Sequence, residues 1–177
     1  TFGSEDHLAL VIGNTRALWP VFLDALAQDP GLAASRDPLD AYTTRSITRL
    51  AEGVGCAHRL RFAHELGERT IAIQQLAHAA GLAYLTETHQ SVHPIYGPWF
   101  SLRAAISLAV PGPPGPRPEL SHPCGGCAGR CARAFERALA TVDTPPSEAN
   151  MRANWAAWVA WRDSCPVGPE HRFGEGQ

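Results

Sequence analysis

The sequence predicts an α+β fold, and three observations lead there. Cys56–His64 and Trp99–Val110 each alternate with a period of two, the signature of strands. Helical patterns fill most of the remaining chain. Strands and helices succeed one another without a strict βαβ rhythm. At 177 residues the chain suits one domain with a substantial core.

Taken in order, Leu8–Gly13 is a short apolar run ending in glycine, expected as a buried strand. Thr15 is placed to cap a helix carrying Leu18, Phe22, Ala25 and Leu26 on one face, ended by Pro30. Asp37-Pro38 reads as an N-cap followed by proline at the first helical position, and that helix should run to the Gly53/Gly55 stop. In the Cys56–His64 strand, Leu60 and Phe62 face one way and Arg59 and Arg61 the other. Glu68–Ala80 is expected as a helix closed by Gly81. In the Trp99–Val110 strand, Phe100, Leu102, Ala104, Ile106 and Leu108 share one face, opposite Trp99, Ser101, Arg103 and Ser107. Pro111–Pro118 holds five prolines and two glycines in eight residues and is a loop. Helices follow from about Ala128 to Ala140 and from about Ser147 to Asp163, the second bearing Trp155, Trp158 and Trp161.

Composition narrows the chemistry. A formal charge of −2 argues against nucleic acid, and no apolar run of membrane-spanning length occurs. All fifteen basic residues are arginine, which excludes Schiff-base lysine chemistry and the lysine of a P-loop. Gly53-Val-Gly55 fails the dinucleotide fingerprint, and neither a Gly-x-Ser-x-Gly elbow nor a His-Glu-x-x-His helix is present. No secretory signal is visible, so a cytoplasmic location is the expectation. The chain opens at Thr1, as a processed or trimmed chain would.

Of five cysteines, Cys124, Cys127 and Cys131 fall within eight residues, and Cys165 is followed by Pro166. This odd, clustered set suits a metal or redox site better than a disulfide framework. Zinc held by four thiolates, an iron–sulfur cluster and a set of free thiols all fit the spacing.

Three blocks give the chain its resemblance. Asp37-Pro-Leu-Asp40 opens a helix, Ala77-His-Ala-Ala-Gly-Leu-Ala-Tyr84 follows, and His93-Pro-Ile-Tyr-Gly-Pro-Trp-Phe-Ser-Leu-Arg103 is the most specific. A weaker match runs from Asn154 through Trp158 and Arg162-Asp163 to Phe173. In order and approximate spacing these resemble the CblC-type cobalamin-processing family, in a bacterial-type form, because the cysteine cluster departs from the animal pattern. Epoxyqueuosine reductases, which pair a similar cobalamin domain with ferredoxin-like cysteines, are the alternative. Their CxxCxxCxxxCP motif is not met, since Cys165-Pro166 lies far from Cys131.

The resemblance implies a nitroreductase-like mixed or antiparallel sheet flanked by helices. It divides the chain into a cobalamin-binding core over 1–110, a Pro-rich linker or loop over 111–123, and a helical segment over 124–177 completing the same domain. It implies cobalamin bound base-off and reductive removal of its upper ligand. That removal is decyanation by reduced flavin (FMN or FAD), dealkylation by glutathione, or both. A non-catalytic chaperone handing cobalamin to a downstream cobalamin-dependent enzyme is the other reading, and monomer and homodimer are both compatible. The matched positions His78, Tyr84, His93, Tyr96, Gly97, Trp99, Phe100, Ser101 and Trp158 become the expected cofactor-contacting residues. Arg103 becomes the expected catalytic group, orienting an anionic thiolate through its donor fork rather than acting as a base. Cys124, Cys127, Cys131 and Cys165 remain the candidate metal ligands. Structural roles stand beside these: His78 can be satisfied within its last helical turn, the His93–Pro98 turn can be scaffold, and the tryptophan stripe can be core.

Overall fold

The longest strand organises the molecule. In a computed structural model, which describes residues 7–116, 119–125, 127, 129–144 and 147–174, β5 (Phe100–Leu108) lies between β1 (Leu8–Thr15) and β2 (His58–Phe62). Both neighbours are antiparallel to it, pairing Leu8 with Leu108, Thr15 with Phe100, and Phe62 with Ala104. The β1 register slips between Ile12 and Gly13. A Cβ at Gly13 would stand 2.8 Å from the Ser101 carbonyl oxygen, so the bulge needs a residue without one.

Between β1 and β2 come α1 (Leu18–Gln28), the short α2 (Pro30–Ala33) and α3 (Pro38–Glu52). Asp29 caps α2 through the Leu32 amide, and Pro38 occupies the first position of α3 after Asp37. Helix α3 buries Ile47 and Ala51 against the sheet. Ile47 packs with Phe62 and Ala104; Ala51 packs with Ile106 and Leu108. Each large aliphatic side chain sealed there contributes about 2 kcal/mol. Ala105 and Ser107 are equally buried, so this half of β5 is covered on both sides.

After β2 come α4 (Ile73–Ala79) and a two-stranded hairpin of β3 (Tyr84–Leu85) and β4 (Ser91–Val92). Beyond β5 the chain forms α5 (Arg130–Leu139), α6 (Glu148–Ala153) and α7 (Trp155–Asp163). Helices α5 and α7 pack through Phe135, Trp158 and Trp161, whose ring centroids lie 5.1 to 6.4 Å apart. No helix among the described residues is long and apolar enough to cross a membrane.

The α+β reading and the order of the elements stand, with three local corrections. Thr15 does not cap α1: it ends β1, and its hydroxyl accepts from the Ala17 amide instead. The helix expected over Glu68–Ala80 starts only at Ile73, preceded by a 3₁₀ turn at Gly67–Arg69. Glu65 accounts for the late start, because it accepts from the Phe62 amide and, at 2.6 Å, from Arg69 Nε. The helix expected over Ser147–Asp163 is broken at Asn154. Its amide group donates to the Asn150 carbonyl at 3.0 Å, competing with the helical backbone.

The His93–Trp99 turn joins this C-terminal part to the sheet. Gly97 has φ 57°, and a Cβ there would fall 1.9 Å from the Val167 carbonyl oxygen. Trp99 Nε1 donates to that same carbonyl at 3.2 Å. The turn therefore clamps the segment just after Cys165-Pro166, a contact only glycine permits.

Candidate functional site

Beyond its sealed half, β5 opens onto cavities. One of them, about 380 Å³, is walled by Phe100 and Leu102 of the strand, Met151 of α6, and Trp155, Trp158 and Trp161 of α7. Its lining is chiefly apolar and aromatic, as expected of a site for a sizeable flat ligand. Three of its lining residues carry a buried polar atom without a hydrogen-bond partner: Ser91 Oγ, Trp158 Nε1 and Trp161 Nε1. The tryptophan stripe thus serves both as packing for α5 and as cavity wall.

A second cavity of about 320 Å³ adjoins the first, sharing Trp155 and Arg162. Ser101 and Arg103 line it, with Asn14, Arg16, Trp19 and Phe173 opposite. Arg103 is held firmly: Nε donates to Asn14 Oδ1 at 2.6 Å, and Nη1 pairs with Asp40 at 3.2 Å. Burial lowers the Arg103 pKa from its usual value, while the Asp40 carboxylate works the other way. Asp40 belongs to the Asp37–Asp40 block and Arg103 closes the His93–Arg103 block, so the structure joins two separate sequence motifs in one ion pair. Sequence reasoning missed Asn14, whose role arises only from strand pairing across the sheet.

The remaining expected residues are spread over several places. His93, Tyr96 and Phe100 line a third cavity with β1, and Phe100 also borders the first. His93 Nδ1 accepts from the amides of Ile95 and Tyr96, and burial, with His171 adding repulsion, holds its pKa below the ordinary imidazole value. His78 and Tyr84 meet edge to face at 5.2 Å, and Tyr84 in turn contacts His122 at 4.6 Å. His78 accepts from the Leu85 amide, and neither it nor Tyr84 lines the three cavities just described. His78 therefore does not stand opposite the Trp99–Arg103 face. Trp99 is fully buried, its ring flanked by the guanidinium groups of Arg162 and Arg172 at 5.1 and 5.0 Å. It is a support for Arg162, not a cavity wall.

The cysteines do converge. Cys124, Cys127, Cys131 and Cys165 all line one small cavity of about 10 Å³, together with Thr86, Gln90, Val92 and Val167. All four are free thiols. Cys127 sits where the amides of Arg130, Gly129 and Cys131 point toward its sulfur, which lowers its pKa. Burial raises Cys165 and, with the neighbouring cysteines, Cys124. Among the described residues, no group of three or more His, Cys, Asp or Glu side chains is arranged to hold a single metal ion. Gln90 borders both this cavity and the large one.

No protein-family model and no curated protein sequence matches the chain. Its structure is similar to the crystal structure of the C. elegans B12-trafficking protein CblC, a human MMACHC homologue, with a TM-score of 0.59. The similarity covers 97% of this chain and 73% of that one at 17% sequence identity. A fold can be shared at such low identity while the lining of its pockets has diverged. The chain has the CblC fold.

Proposed function

We propose that the chain binds cobalamin base-off and removes its upper axial ligand reductively. The observation that supports this most is the pair of adjoining cavities around Phe100–Arg103, which share Trp155 and Arg162. Each alone is of drug-ligand size. A corrinoid is larger and would lie with its flat ring against the tryptophan wall. The fold shared with a B12-trafficking protein favours a corrinoid over another flat ligand.

The second cavity has the character of a reductant site. Its arginines and aromatic rings suit an anionic reductant, either reduced flavin through its phosphate or glutathione through its carboxylates. Arg103, fixed by Asn14 and Asp40, would orient that anion against the corrinoid. With flavin, one electron enters cobalt(III) and cyanide leaves with its bonding pair, giving cobalt(II). With glutathione, the thiolate attacks the alkyl carbon, forming a thioether and leaving cobalt(I). Loss of the lower nitrogen donor makes cobalt(III) easier to reduce. The cofactor carries the bond chemistry while the protein positions it.

An anaerobic absorbance titration with methyl- and cyanocobalamin tests the reading. A base-off spectrum is expected with the native chain, and Trp158→Ala should weaken binding about tenfold or more. Cyanide release with reduced flavin, or thioether formation with glutathione, should follow. No spectral change with either cobalamin would sink the proposal. A base-off spectrum without ligand loss under either reductant would make the chain a carrier that hands cobalamin on.

A further inference from the structure

Four of the five cysteines meet at one place that the cobalamin reading does not use. Their convergence is built by the fold from two distant segments. The Cys127 amide donates to the Cys124 carbonyl at 2.9 Å, closing a tight turn that carries two of the sulfurs. Helix α5 begins immediately after, with Cys131 as its second residue. The loop is tied to the hairpin by His122, which accepts from the Cys124 amide and packs on Tyr84. The fourth sulfur arrives from the far end of the chain. Cys165 is buried, and the Gly97 and Trp99 contacts to Val167 hold its segment in place. Cys56 lies apart, packed against the Ala51–Leu108 core.

The size of the gap decides what could fill it. In a closed tetrahedral zinc site each sulfur stands about 2.3 Å from the centre, closer than sulfur and a water molecule can approach. Here the thiols border a void with room for about one water, and no three of them are arranged around a single ion. They form no disulfide. A polynuclear centre, which spreads its four thiolate ligands wider than one ion does, suits this cage better.

We propose that Cys124, Cys127, Cys131 and Cys165 ligate an iron–sulfur cluster. Val92, Val167 and the buried Cys165 form the inner side of the cage, while the partly buried Cys124, Cys127 and Cys131 close it from the loop and the start of α5. The cluster would stand one buried side chain, Gln90, from the large cavity. This assignment does not depend on what that cavity binds, and its test needs no cobalamin.

The full chain is purified without oxygen, or reconstituted with ferrous iron and sulfide. Iron, zinc and acid-labile sulfide are then measured per chain, with visible absorption and electron paramagnetic resonance after dithionite reduction. Iron and sulfide in equal amounts, with a reducible chromophore, are expected. Cys131→Ala and Cys165→Ala should each lose most of the chromophore, while Cys56→Ala keeps it. Circular dichroism checks the fold of each variant, and the metal analysis of the native chain stands whether or not Cys165→Ala folds. Zinc without sulfide, or a metal-free chain with all four thiols titratable after reconstitution, would overturn the proposal. So would a folded Cys165→Ala variant with the full chromophore, or equal loss in Cys56→Ala.

Discussion

The two halves of β5 do different work on one strand. From Ala104 to Leu108 every residue is buried, and the alanines let α3 lie close against the sheet. From Phe100 to Arg103 the residues are larger and only partly buried, and they wall three cavities. The sealed half holds the scaffold, and the open half presents side chains from a rigid element. Sites built that way hold their geometry better than sites on loops. Substitutions in the two halves should therefore separate stability from binding.

The largest effect is expected just before the open half. Gly97→Ala puts a Cβ into the Val167 carbonyl and forces a positive φ on alanine, for a loss of about 4 kcal/mol. Urea unfolding measures it, and a loss under 1 kcal/mol would show that the turn does not clamp Val167. In the sealed half, Ile106→Ala should cost about 3 kcal/mol by leaving a cavity beneath α3. The fraction that remains folded should bind ligand with unchanged affinity. A tenfold loss of affinity in folded Ile106→Ala would erase the distinction between the halves.

Arg103→Ala sharpens the comparison from the other side. It removes the partner of the Asn14 oxygen and leaves the partly exposed Asp40 carboxylate with only His64, 3.9 Å away, for a stability cost of about 1 kcal/mol. The same change should weaken an anionic reductant about tenfold or more while leaving cobalamin affinity nearly unchanged. Asp40→Asn keeps the arginine and should affect stability more than reductant binding. A double-mutant cycle in urea, with the KM for the reductant measured alongside, separates the two contributions. Equal loss of reductant binding in both variants would leave Arg103 no role beyond its ion pair.

What the sequence revealed follows from how local each signal is. The strand periods and the Asp37-Pro38 helix start were legible because they depend on neighbouring residues alone. The helix starts at Thr15 and Glu68 were not, because a strand pairing and the Glu65–Arg69 contact took those segments over. The same limit applies to the site. Arg103 could be singled out by its strand position, but its partners Asn14 and Asp40 come from other elements. Trp99 reads from the sequence as sharing the Arg103 face, yet its ring is taken by Val167, Arg162 and Arg172 from the C-terminal segment. His78 lies on a helix face that the fold directs to Tyr84 and the hairpin.

The smallest expected effect lies at the hinge between turn and strand, and it is a pH dependence. His93 accepts two backbone amide hydrogen bonds at Nδ1, which requires that nitrogen to be unprotonated. Burial, and then His171 from the C-terminal segment, hold its pKa below the ordinary imidazole value; the rings of Tyr96 and Phe100 pack against it. Because the folded pKa is depressed, the unfolded chain takes up the proton first as pH falls. The contribution of His93 to stability is therefore fully present above the ordinary imidazole pKa and is lost as pH drops through the folded value. Acidification should loosen the His93–Gly97 turn, and with it the grip on Val167, before it disturbs the Ala104–Leu108 core. Amide hydrogen exchange across this range reads both halves at once. Faster exchange at Ile95 and Tyr96 than at Ile106 is expected on acidification, and His93→Gln should flatten that difference. Equal acceleration at all three positions would mean that the turn and the sealed strand open as one unit.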